Sequence, residues 1–146
     1  ELMLVAPSGV GDAPPAIIEW ISMPWGVVSL AETEPQWPQV ADRVDAYDRM
    51  LAEMWPRLDR FAVKLAARGV SEVQLLGTSG TVTTLASVEL GLPGYDRRRV
   101  DGCAVDTAAL AALCRSIGHS SVAERARIAC VGPDRAELIV AGYMRS

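Results

Sequence analysis

The chain holds a single histidine and three widely spaced cysteines, Cys103, Cys114 and Cys130. No CxxC occurs, and a structural zinc site draws on four thiolate or imidazole ligands, so none is expected. An odd cysteine count at wide spacing gives no disulfide framework and suits a reducing compartment. Long apolar runs are also missing: none approaches the roughly 18 residues that a membrane-spanning helix needs. No signal peptide is visible. Positive charge is short, with 14 Lys and Arg against 18 Asp and Glu and a net charge of −4. No basic stripe interleaves with aromatics, which argues against a nucleic-acid partner. The triplet Arg97, Arg98, Arg99 directly follows Asp96 and reads as a solvated turn, with an anion site as the alternative.

What remains describes a globular chain. Half of its 146 residues are hydrophobic and 22% are charged, a balance that excludes intrinsic disorder. Residues 1–146 are long enough for one domain, burying about two thirds of the surface the unfolded chain exposes. The abrupt start, Glu1-Leu2-Met3-Leu4-Val5 with no initiator methionine, reads as a piece of something longer.

Leu2 to Val5 and Ile17 to Met23 read as strands, the first of them buried, separated by a Gly/Pro-rich turn. Val27 to Leu30 continues extended or begins a helical turn. Val40, Val44, Tyr47, Leu51, Met54, Leu58, Phe61 and Leu65 recur at spacings of four and three, which predicts one long helix with a core-facing stripe. Pro56 should kink or split it near Trp55, and Gly69 should end it. Val70 to Leu76 reads as a buried strand and Thr81 to Leu90 as a helix. A helix over Thr107 to Ile117 is expected to stop at Gly118, leaving His119 on the surface. Ser121 and Glu124 fit a capping box, and Pro133 suits the first position of a buried helix to Met144. Strands followed by helices around one further strand suggest α/β or α+β layers. Cys114 lies among apolar positions as a small core residue, and the four tryptophans are expected to pack, Trp25 flanking a cleft as its alternative.

The segment Gly77-Thr78-Ser79-Gly80-Thr81 carries the chemistry. Small residues let the backbone approach a bulky anion. The start of a helix offers unpaired amide hydrogens and a partial positive charge. Together they form an anion site without a lysine, and Thr78, Ser79 and Thr81 add hydroxyls. A plain tight turn is the alternative. The Walker pattern GxxxxGK[ST] is absent, and Thr83 stands where a dinucleotide fingerprint would need a further glycine.

The stretch Leu76–Ala86 (LGTSGTVTTLA) resembles a glycine motif of the exopolyphosphatase/guanosine pentaphosphate phosphohydrolase (Ppx/GppA) family. Four further stretches agree in order. Ser22–Glu32 is similar to S-L-P-x-G-x-V-x-L-T-E, and Tyr95-Asp96 with Val100-Asp101-Gly102 to Y-D-x-x-x-V-H-G. Ser121–Arg125 is similar to S-x-x-E-R, and Pro133–Gly142 to P-x-R-A-x-x-I-x-A-G. Asp101 departs from the family's histidine, and Thr78-Ser79 from its commoner Gly-Gly or Gly-Ser.

The resemblance implies an actin/heat-shock-chaperone/sugar-kinase-like (ribonuclease H-like) α/β fold, of which this chain is most of the second domain, incomplete at both ends. It implies a cytoplasmic, bacterial, Mg²⁺-dependent hydrolase that releases terminal phosphate from polyphosphate or guanosine pentaphosphate, with pairing into homodimers. Gly77, Thr78, Ser79, Gly80 and Thr81 would cradle phosphate. Arg135 would meet the guanosine or polyphosphate end, with a salt bridge to Asp134 or Glu137 as its alternative. Glu1 matches the glutamate that holds Mg²⁺ or orients water, whereas the first domain's catalytic glutamate has no counterpart. The chain alone is therefore expected to be inactive. Arg125 is expected to pair with a nearby carboxylate, and Glu32 to cap a helix. A non-catalytic module that binds guanosine polyphosphate or a protein, and an ATP-dependent kinase relative of the same fold, are the other readings.

Overall fold

The computed structural model describes residues 2–6, 14–24, 39–70 and 72–140. Glu1, Trp25, Val27–Leu30, Glu32 and the expected helical residues 141–144 lie outside them. Among the described residues, two strands, β1 (Leu2–Ala6) and β2 (Ala16–Ile21), form an antiparallel pair. Met3 faces Trp20 and Val5 faces Ile17, with a bulge between Leu4 and Val5. Six helices follow: α1 (Val40–Ala67), α2 (Gly80–Glu89), α3 (Arg97–Val100), α4 (Thr107–His119), α5 (Val122–Ala126) and α6 (Gly132–Arg135).

The long helix forms as its periodicity predicts, burying Tyr47, Met50, Met54 and Phe61 along one face. It is one continuous element of 28 residues that runs through Pro56. An interior proline costs about 3 kcal/mol. Here the buried residues on both sides of it hold the two halves in line, and Arg60 Nε donates to the Pro56 carbonyl at 3.1 Å. Gly69, at φ 72°, ends the helix as expected. The core joins α1, α2 and α4: Tyr47, Met50 and Met54 meet Leu85, Ile117, Val131, Ile139 and Val140, with Cys114 packed beside them. A smaller cluster sets Ala86 against Leu92 and Val100.

Several expectations give way to tertiary context. Of the expected strand over Val70–Leu76, Val70 and residues 72–76 are described and are not strand, and Val73, Leu75 and Leu76 are 60%, 68% and 81% exposed. A strand needs a partner ladder. β1 and β2 pair with each other, and no described residue pairs with this run. β1 is not buried on both faces. Glu19 of β2 is clamped by Lys64 at 2.9 Å and Arg68 at 3.1 Å, so the end of α1 covers one face of the hairpin. Met3, Val5, Ile17 and Trp20 on the strands are exposed. Trp55 is exposed too, so neither Trp20 nor Trp55 is a core residue.

Gly118 does not stop α4. The helix continues to His119, whose ring lies edge-on to Tyr47 at 5.3 Å and whose carbonyl accepts from Arg43 Nε at 2.8 Å. Those contacts hold the last turn and make His119 half-buried. Arg97–Val100 is a short helix capped by Asp96 rather than an open turn. The expected last helix divides into α6, with Pro133 in its first turn, and turns over 136–138. Ile139 and Val140 are buried as expected, while Leu138 is exposed. No described helix is long and apolar enough to cross a membrane.

Candidate functional site

Ser79 builds the start of α2. Its backbone is extended, and its hydroxyl oxygen accepts from the Val82 amide at 3.2 Å, the N-cap geometry. The Ser79 carbonyl takes the Thr83 amide at 3.1 Å. This leaves the amide hydrogens of Gly80 and Thr81 with no partner among the described residues. Two orphan donors thus stand at the positive end of a ten-residue helix.

The two glycines of the loop do different work. A Cβ on Gly77 would drive into the Val82 side chain, with Cγ2 at 3.2 Å and Cβ at 3.3 Å, so Gly77 is required by packing. A Cβ on Gly80 would meet nothing within 4 Å. Apart from the flanking residues and the helix's own backbone, no described residue fills that space.

Arg135 reaches this same helix start across the fold. Its Nη1 donates to Thr84 Oγ1 at 2.6 Å and contacts the Gly80 carbonyl at 3.4 Å. Thr84 Oγ1 in turn donates to the Gly80 carbonyl at 2.8 Å. A donor chain therefore runs from guanidinium to hydroxyl to carbonyl, each link polarising the next. A guanidinium carries five N–H donors. Those on Nε and Nη2 of Arg135 have no partner among the described residues. This geometry favours the contact with α2 over a salt bridge from Arg135 to Asp134 or Glu137.

Gly80, Thr81, Asp134, Arg135, Leu138 and Ile139 line one open cleft of about 280 Å³. Of the residues expected to hold phosphate, Gly80, Thr81 and Arg135 come together here. Gly77, Thr78 and Ser79 are exposed beside it and do not line it. Glu1 lies outside the described residues. Sequence reasoning missed Thr84, Asp134, Leu138 and Ile139. Thr84 is one helical turn from Gly80, so the 3.6-residue period alone could have found it. Leu138 and Ile139 follow Arg135 by three and four positions, but the turns after α6 break the pattern that would have pointed to them.

Arg125 is 2% exposed and donates to three main-chain carbonyls: Ala136 at 2.7 Å from Nε, then Ser120 at 2.9 Å and Ile117 at 3.4 Å from Nη1. The described residues include no group of three or more His, Cys, Asp or Glu that could hold a metal ion. Among them, Asp134 is the one carboxylate lining the cleft. No protein-family model, curated protein or solved structure matches the chain.

Proposed function

We propose that this chain forms one wall of the substrate cleft in a phosphoanhydride hydrolase of the Ppx/GppA type, acting on polyphosphate or guanosine pentaphosphate. The observation that carries the reading is the convergence of Arg135 with the two orphan amides of Gly80 and Thr81 on one cleft. Planar guanidinium donors and helix-start amides are complementary to phosphate oxygens. The five sequence stretches in family order support the same reading.

In such a hydrolase, water attacks the terminal phosphorus in line and the shortened chain leaves. The residues described here bind and orient: amide hydrogens and the guanidinium hold non-bridging oxygens and offset their charge. Mg²⁺ enters through the family resemblance. The described residues include no group of three or more His, Cys, Asp or Glu that could hold it, and the part argued here for the amides and Arg135 is on the phosphate. The reading carries a cytoplasmic location, which suits three cysteines outside any disulfide.

Calorimetric titration of the chain with tripolyphosphate tests the reading. Binding should weaken about tenfold or more in Arg135→Met, since a charge-assisted hydrogen bond contributes roughly 1.5–3 kcal/mol. No heat from the wild type at millimolar ligand, or equal affinity in the variant, would sink it. A cleft lined by one carboxylate, and by no histidine or cysteine among the described residues, also fits a module that binds guanosine polyphosphate without hydrolysis. Binding of that nucleotide by the full-length protein without phosphate release would select this second reading.

A further inference from the structure

We propose that Arg125 is the positioning residue that aims Arg135 at the start of α2, an inference that rests on the cleft being an anion site. Arg135 stands at the end of a four-residue helix and is itself exposed. A short helix cannot hold a long, exposed side chain in one geometry by its own hydrogen bonds. The peptide that follows Arg135 is held from elsewhere. Ala136 is fully buried, and its carbonyl accepts from Arg125 Nε at 2.7 Å.

The other end of the same guanidinium is anchored. Arg125 Nη1 donates to Ser120 and Ile117, the last carbonyls of α4 and its cap. Ile117 is 1% exposed in the main core, where it meets Leu85 of α2. The contacts therefore close a ring: α2 to α4 through the core, α4 to Arg125, Arg125 to Ala136, and Arg135 back to α2 at Thr84. Carbonyls that converge on one buried point require a donor with several N–H groups in a fixed plane, which arginine has and lysine lacks. The cleft by itself does not mark this residue, because Arg125 does not line it.

The test couples Arg125 to the contact it is held to control. Stability is measured by denaturant unfolding for the wild type, Arg125→Lys, Thr84→Val and the double variant. Thr84→Val removes the acceptor of Arg135 and also the Thr84 bond to Gly80, the latter equally in both backgrounds. The factor by which Thr84→Val lowers the folding constant should be about fivefold larger in the wild-type background than in the Arg125→Lys background, the worth of one net hydrogen bond. Equal factors in the two backgrounds would overturn the inference. Tripolyphosphate affinity gives the second readout: Arg125→Lys should weaken it about tenfold in the wild-type background, the loss of one charge-assisted contact, and leave it unchanged in Arg135→Met. A merely structural arginine would lower stability and leave affinity as it was. With Arg125 intact, Thr84→Val should also shift the side-chain Nε–H resonance of Arg125, and an unmoved resonance counts against the coupling. If the wild type binds no tripolyphosphate, the phosphate reading fails, while the stability cycle and the resonance still decide the role of Arg125.

Discussion

Gly80→Ala separates the fold from the site in one substitution. Gly80 lies within α2 with negative φ, and a Cβ there meets nothing within 4 Å. Alanine at such a position removes unfolded-chain freedom and stabilises by about 0.4–1 kcal/mol. For a chain of this length that is a rise in Tm of roughly 2 °C. The same methyl is added to a residue that lines the cleft. A polyanion seated on that part of the lining must shift to clear the methyl, which weakens bonds worth roughly 1.5 kcal/mol or more each. Affinity should fall at least tenfold. At a tripolyphosphate concentration of 100 Kd the wild type gains about 2.7 kcal/mol. A tenfold weaker variant gains about 1.4 kcal/mol at the same concentration. Thermal unfolding with and without ligand therefore reads two opposite signs: a higher Tm for apo Gly80→Ala and a ligand shift cut to about half or less. Gly77→Ala is the control, since its Cβ collides with Val82. It should cost about 1–3 kcal/mol as an overpacking change. An undiminished ligand shift in Gly80→Ala would refute the anion cradle, whatever its effect on stability.

Two predictions concern pH. Hydrogen bonds from Lys64 and then Arg68 hold the Glu19 carboxyl below its ordinary value of 4.5. Its folded pKa is depressed, so its contribution is present above 4.5 and is lost as pH falls through the lower folded value. Denaturant titration should show a shallower acid loss for Glu19→Gln than for the wild type between about pH 5 and about 3, and parallel curves would remove the clamp from the account of the hairpin. At the alkaline end, burial pushes the Cys114 thiol up from 9.0 to about 11. A raised folded pKa favours the protonated fold, so stability is held below pH 9.0 and declines as pH climbs to about 11. Burial raises Tyr47 in the same sense, so the difference between the wild type and Cys114→Ala is the quantity to read. That difference should narrow with rising pH, and a constant gap would place the thiol in contact with water.

Local features of the fold are legible in the sequence because their causes lie within one helical turn. Ser121 and Glu124 form the full capping box, with Ser121 N donating to Glu124 Oε2 at 2.7 Å. The stripe from Val40 to Leu65 specifies α1, and Pro133 marks the start of α6. Failures occur where a distant contact outweighs a local signal. Pro56 does not split α1 because a buried face runs through it, and Gly118 does not end α4 because Tyr47 and Arg43 hold the turn beyond it. The Val70–Leu76 run has strand propensity, but a ladder is a two-partner structure and none of the described residues supplies the second.

The same division applies to the site. The sequence by itself determined the glycine-bounded loop, the cap at Ser79 and the helix start with its orphan amides, since these need only residues 77 to 83. Only the tertiary structure decided that Arg135 meets that start, through a hydrogen bond spanning 51 residues, and that Arg125 secures the peptide beside it. Periodicity and capping act over three or four residues, whereas the direction of an arginine across a cleft depends on how α4, α5 and α6 pack.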